Sequence, residues 1–280
     1  MSSFLELLFD PEVDFLRNAF LLGLIGSIPL GVVGSFVVVR RISYLAAAIA
    51  HSALGGIGLS LFVRSQLGWD WLPPFLGALI FTVASALLVG WLASRKGQRE
   101  DAAIGTVWVA GMAIGIIAIN LTPGYNDPMA YLFGDILLLR PTDLWLAGGF
   151  AFFIVGLLVL AHRQLFSVLF DPEFAASRGL RVDPVYLLLL VLTALTVVTL
   201  VSLVGVVLVV ALLTLPPAIA LARVRRFRTV ILVSILLNMA CIALGLWLGY
   251  VLDAPAGPTI ILVAAAAYVL GFLPGLKRRA

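Results

Sequence analysis

The sequence predicts an all-α, polytopic membrane protein with eight to nine transmembrane helices, its N-terminus outside and its C-terminus cytoplasmic. Three observations lead there. Of 280 residues, 62% are hydrophobic and only 11% are charged, against roughly 25% charged in an average soluble domain. No single soluble core can cover that much apolar surface. Apolar runs of membrane-crossing length recur along the chain, and the basic residues gather in short clusters between them.

The first run covers 15–39 and stops at Arg40-Arg41. Glu6, Asp10, Glu12 and Asp14 precede it without a basic n-region, which argues against a cleavable signal peptide. The second run, 43–63, carries His51; the third, 73–93, opens at Pro73-Pro74 and ends before Arg95-Lys96. A fourth covers 103–121 and a fifth 144–161, closed by His162-Arg163. Residues 185–222 form one uninterrupted apolar stretch, far too long for a single crossing. A reversal near 202–205 divides it into 185–201 and 204–222, either two short spans or a span and a re-entrant piece. Pro216-Pro217 should break the helix's hydrogen-bond ladder near the end of the second part and free carbonyls that neighbours must satisfy. The last runs are 230–251 and 259–273. No linker or internal repeat divides the chain, so 1–280 reads as one transmembrane domain.

Alternating the runs places Arg40, Arg41, Arg95, Lys96, Arg99, Arg163, Arg178, Arg181, Arg223, Arg225, Arg226, Arg228, Lys277, Arg278 and Arg279 on one face. Only Arg17, Arg64 and Arg140 fall toward the other, and the basic-rich face is cytoplasmic by the positive-inside rule. If 185–222 crossed once, the last two basic clusters would change sides, so the charge pattern favours the division. Nine acids, among them Asp127, Asp135 and Asp253, lie toward the outer face, where they would concentrate cations. Negative outer loops also follow simply from positive-inside sorting. The net charge of +4 is not nucleic-acid affinity, because its cations are dispersed between apolar spans. One cysteine, Cys241, excludes an internal disulfide.

His51 sits in an uncharged run from 42 to 63, roughly 15 Å along a helix from the arginine pair. In a hydrocarbon layer roughly 30 Å thick that is near the midplane, where an ionisable ring marks a pathway or a satisfied interhelical hydrogen bond. Met112, Asn238 and Cys241 come at similar depth and are weaker candidates for the same pathway; packing or interhelical hydrogen bonding also accounts for them. Gly111 with Gly115, and Gly245 with Gly249, are spaced for close helix contact. His162 reads as interfacial. No GxxxxGK[ST] phosphate loop occurs, so the chain is not expected to be an enzyme, and any ATP-driven step needs a separate subunit.

Residues 162–184 form the longest non-membrane segment on the basic face. Within it, Asp171 reads as an N-cap, Pro172 as N1, Glu173 as a first-turn acid and Gly179 as the terminating glycine of a short helix. Phe174, Leu180 and Val182 give that helix an apolar side with no bilayer to enter, so it is either a plain capped connector or a docking element for a cytoplasmic partner.

Six stretches, in this order, carry a resemblance. They are Gly31-Val-Val-Gly-Ser-Phe-Val-Val-Val-Arg-Arg-Ile-Ser-Tyr with His51 following, Glu100-Asp-Ala-Ala-Ile-Gly, and Tyr131-Leu-Phe-Gly-Asp-Ile-Leu. The others are Phe170-Asp-Pro-Glu-Phe-Ala, Gly205-Val-Val-Leu-Val-Val-Ala-Leu-Leu-Thr-Leu-Pro-Pro-Ala and Asp253-Ala-Pro-Ala-Gly-Pro. From about 20 to 273 the chain resembles the membrane subunit of the bacterial zinc, manganese and iron(II) ABC importers, the family 3 metal permeases. The resemblance implies a permease in the bacterial inner membrane, paired with a second copy of itself. It also implies two cytoplasmic ATPase subunits that use the ATP, and an extracytoplasmic metal-binding protein that delivers the cargo. No cofactor is implied for this chain, and the transported ion is zinc, manganese or iron. The stretch containing Phe170, Asp171, Pro172, Glu173, Phe174 and Gly179 matches the family's coupling segment, here within 165–183. Many relatives carry an aspartate four residues before the histidine of the second helix, where this chain has Ala47; some have a second histidine in the fourth span, where it reads Val109-Ala110-Gly111-Met112. An importer for another small cargo such as a metal chelate, and an ATP-independent cation carrier, stay open as alternatives.

Overall fold

The computed structural model describes residues 14–93, 100–124, 128–134 and 141–271, and among these every regular element is a helix. In chain order they are α1 (Asp14–Val39), α2 (Ser43–Leu67), α3 (Pro74–Ala93), α4 (Glu100–Asn120), α5 (Pro128–Phe133) and α6 (Pro141–Phe170). Then follow α7 (Pro172–Ser177), α8 (Val182–Val204), α9 (Val206–Arg223), α10 (Phe227–Leu252) and α11 (Ala256–Gly271). Seven of these, α1–α3, α6 and α8–α10, are long and apolar enough to cross a membrane; α4 and α11 supply shorter apolar segments, Ile104–Asn120 and Ala256–Gly271. Each of the nine apolar runs read from the sequence thus has its own helix.

The long apolar stretch divides at Gly205, whose φ of 85° only glycine adopts without strain. Contacts along α1 give the directions. Arg40 at the end of α1 lies over the Tyr186 ring near the start of α8, while a Cβ on Gly26 would sit 2.8 Å from Leu200 near its end. α9 then returns alongside α1, with Leu213 and Pro217 against Gly34. The chain therefore reverses at Gly205. Gly134, also at positive φ, brings the end of α5 directly onto the Val204–Gly205 backbone, and Phe133 meets Gly257 of α11. A side chain at either glycine would push α5 off this break.

Pro216 and Pro217 do not interrupt α9, which runs on to Arg223. Helices in apolar surroundings tolerate proline when a neighbour covers the freed carbonyl. Pro217 leaves the Leu213 carbonyl without its usual donor, and Gly34 of α1 packs its bare Cα on that oxygen. α6 departs from expectation: it continues past His162 and Arg163 to Phe170, because Leu165, Val168 and Leu169 are buried on one side while the polar residues stay exposed. The connection on that side is accordingly shorter than 162–184.

The basic clusters converge. Phe36 of α1 meets Phe166 of α6 and Phe227 of α10 edge-on, at centroid distances of 5.8 and 4.9 Å. An Arg223 guanidinium nitrogen donates to the Gly271 carbonyl at 2.6 Å, tying the ends of α9 and α11. With Arg40 over Tyr186, the ends of α1, α6, α9 and α11 and the starts of α8 and α10 gather at one end of the bundle.

Candidate functional site

α2 is closely enclosed by its neighbours, and small residues allow it. A Cβ on Gly111 of α4 would lie 2.9 Å from the Ser52 Cα, and one on Gly115 would lie 2.5 Å from the Leu54 carbonyl oxygen. Gly77 of α3 approaches Gly56 in the same way. The Gly111–Gly115 spacing thus seats α4 on α2, and Gly245 and Gly249 seat α10 on α11 against Ile260 and Ala256.

This tight pairing fixes the His51 ring. His51 lies about 12 Å from the Ser43 end of a helix about 37 Å long, nearer its centre than its arginine-rich end. Nδ1 is 2.8 Å from the Ala47 carbonyl oxygen. A carbonyl only accepts, so Nδ1 carries the proton, and in the neutral ring the Nε2 lone pair is left for a metal. The Ala47 carbonyl is thereby the group that orients the imidazole. Trp108 of α4 stacks on the ring at 4.6 Å between centroids with 28° between planes, and Tyr44 stands 5.6 Å beyond Trp108. The Trp108 indole N–H donates to the Met112 Sδ at 3.3 Å. His51, Trp108 and Met112 are half-buried, and Tyr44, Val109 and Ala110 beside them are exposed. The site is a rigid aromatic shelf bearing one available nitrogen and one thioether, open on the side away from the bundle.

Asn238 and Cys241 are elsewhere. α10 packs chiefly on α1, α11 and α9, whereas α2 packs chiefly on α4 and α3. Both residues are buried. On the same buried face, Ser234 accepts from Ser35 of α1 at 3.1 Å. The Asn238 amide has no hydrogen-bond partner among the described residues. Of the four candidates, His51 and Met112 are linked through Trp108, and Asn238 and Cys241 share the buried face of α10 apart from them. Among the described residues no group of three His, Cys, Asp or Glu could hold a metal ion. Trp108, which links the two, was not singled out from the sequence; its place four residues before Met112 on one helix face was the available signal.

The short helix on the basic side forms as its sequence suggests. Asp171 Oδ1 accepts the Phe174 N–H at 2.8 Å, with Pro172 in the first turn. At the other end Gly179, φ 81°, donates to the Ala176 carbonyl and Leu180 to that of Ala175, the paired bonds of a left-handed glycine terminus. Ala175 is buried, while Phe174 and Phe170 stay more than half exposed and Glu173 is exposed. Phe170, the last residue of α6, meets Phe227 edge-on at 5.8 Å, so the α6 end that leads into this short helix shares the aromatic contacts of α1 and α10. On the opposite side Asp253 caps α10 in the left-handed region, φ 51°, and is exposed. Asp127 and Asp135 lie outside the described residues.

The family model described as the ABC 3 transport family matches residues 12–274. A probable metal transport system membrane protein of Chlamydia pneumoniae is 38% identical over 254 residues, which is 90% of this chain and 86% of that protein. The manganese import system permease protein ScaB of Streptococcus gordonii is 30% identical over 268 residues, 96% and 94% of the two chains. Among solved structures, PsaBC from Streptococcus pneumoniae in complex with Fab superposes with a TM-score of 0.82 at 31% identity, covering 95% of this chain and 93% of that one.

Proposed function

The chain belongs to the ABC 3 transport family, and from that premise we propose that it is the membrane permease of an ATP-driven importer for divalent transition-metal ions. The observation that carries the proposal is the His51 imidazole, held by Ala47 and Trp108 with Nε2 uncommitted on an open face of the bundle. Imidazole suits zinc and also takes iron(II) and manganese(II). The names of the Chlamydia and Streptococcus relatives agree with such a cargo.

One imidazole and one thioether hold a metal poorly. A second copy related by a two-fold axis would bring a second His51 and Met112 to the same place, since such an interface opposes each residue to its own mate or neighbours. Two nitrogens, with water filling the remaining positions, bind weakly. That suits conduction, where an ion must enter a site readily and leave it again. Ala47 supplies no carboxylate, which shifts the site away from the hardest of the three ions.

The remaining roles follow from the two ends. The arginine-rich end is the cytoplasmic one, which puts the N-terminus outside, makes α4 and α11 crossings with the seven longer helices, and lets the α8–α9 pair turn back near the outer side. There α7 of each copy is the docking element for one of two ATPase subunits, its exposed Phe174 and Glu173 offered to it. The outer acids, Asp127, Asp135 and Asp253, favour delivery of a cation by an extracytoplasmic binding protein. Co-purification with an ATPase, followed by elemental analysis of metal taken up by vesicles containing the pair, tests the reading. Metal accumulation that persists without ATP would replace it with a cation carrier.

A further inference from the structure

α6 and α10 both lean on α1 and leave a gap between them near the basic end. The gap is a cleft of about 420 Å³. Val32 and Phe36 of α1 floor it, and Leu158 and Phe166 of α6 and Ile231 of α10 wall it. The flanking surface is that of outer helices: Phe152 and Leu160 of α6 are more than four-fifths exposed, and Leu232 and Leu236 of α10 more than half. The edge-on Phe36, Phe166 and Phe227 rings lie toward its basic end.

Two lining residues are not apolar, Arg228 and His162. Both are exposed, and Arg228 makes no ion pair or hydrogen bond among the described residues. His162 directs Nδ1 to the Val159 carbonyl at 2.6 Å, leaving Nε2 for another partner. From His162 the apolar wall continues about 10 Å deeper along α6 to Val155. Arg163, Arg225 and Arg226 add positive charge at the same end. The nearest acid in the chain order, Asp171, is engaged as the α7 cap.

We propose that this cleft holds one anionic phospholipid, an acyl chain between α6 and α10 and the phosphate beside Arg228. An uncommitted guanidinium at the mouth of an apolar groove between spans has the chemistry of a lipid headgroup site. A free anion would leave the apolar wall unused, and a neutral lipid would leave Arg228 unpaired. The second copy is better placed on the open His51 face, because α6 and α10 present continuous large apolar side chains rather than small ones. The site rests on the reading of the chain as membrane-embedded, but not on what it transports.

The test is native mass spectrometry of the purified full chain after washing in neutral detergent and exposure to equal amounts of phosphatidylglycerol and phosphatidylcholine with identical acyl chains. Wild type is expected to retain one phosphatidylglycerol per chain with a preference of about fivefold, the order expected of one arginine beside an anionic headgroup. Arg228→Gln should bring the ratio near unity. Val159→Trp, which fills the groove, should remove retention of both lipids. Arg181→Gln, at the same end but just before α8, should change neither. A wild type that retains both lipids equally, or an Arg228→Gln protein that keeps the preference, overturns the site. A chain that cannot be held in detergent micelles at all would instead overturn the membrane reading.

Discussion

Replacing Asp171 by alanine should uncouple the permease while leaving its membrane helices intact. α7 has six residues, well below the 12–15 or so at which an isolated helix begins to hold in water. Three features keep it formed: the Asp171 cap on the Phe174 N–H, the buried Ala175, and the left-handed terminus at Gly179. Removing an N-cap acceptor costs about 1 kcal/mol, or about a fivefold loss in the ratio of formed to frayed helix. Asp171→Asn keeps the acceptor and should cost only a few tenths of that. The assay pairs metal-stimulated ATP hydrolysis in vesicles with hydrogen exchange at Phe174 and Ala175. Asp171→Ala should exchange about fivefold faster at these amides and lose most of its metal stimulation, with Asp171→Asn near wild type. Faster exchange with full stimulation would show that α7 does not transmit the ATPase signal, and unchanged exchange would show that the cap does not hold the helix.

Other outcomes follow from the same geometry. Charge reversal at Glu173, or Phe174→Ala, should uncouple hydrolysis from uptake in the same vesicles without altering the melting profile, since both side chains are exposed. Neutralising Asp127, Asp135 and Asp253 together should slow cation capture, and the deficit should shrink between 0.1 M and 1 M salt as the screening length falls from about 10 Å to about 3 Å. Ala47→Asp should raise uptake of manganese(II) relative to zinc, because it adds a hard oxygen one helical turn from His51; competition uptake with both ions reads this directly. Gly115→Val should destabilise the α2–α4 pair by roughly 1–3 kcal/mol or prevent assembly, as its Cβ would sit 2.5 Å from the Leu54 carbonyl; the readout is the thermal midpoint in detergent.

Most of the helices were legible because bilayer thickness fixes their length and hydrocarbon fixes their composition. The division of 185–222 follows from that constraint, the charge clusters require the same reversal, and Gly205 carries the turn. Asp171 and Gly179 were legible because capping is local chemistry. What failed was also physical. The proline pair calls for a neighbour over the carbonyl that Pro217 frees, but nothing local says that the neighbour is Gly34 of α1. Polar residues at His162 and Arg163 suggested the end of a span, but a helix with buried Leu165 and Val168 continues through them. Depth along a span says nothing of direction around it, so Asn238 and Cys241 counted level with His51 while facing α1 instead. The stacking of Trp108 on His51 depends on which face of α4 meets α2, and only the packed bundle decides that.

The central claim is that His51 serves the ion rather than the fold. His51→Ala leaves a residue size that the neighbouring Ala50, Ser52 and Ala53 already accommodate, so assembly and the thermal midpoint should change little. Uptake of zinc, manganese and iron should be compared for wild type and His51→Ala in one vesicle system with the partner ATPase, from pH 7.5 down to 5.5. Wild-type uptake should fall toward the acid end of this range, since only neutral imidazole offers Nε2 to a metal, and His51→Ala should transport none of the three at any pH. Wild-type rates of all three ions through His51→Ala would make His51 a packing residue of the α2–α4 pair and contradict the proposed pathway.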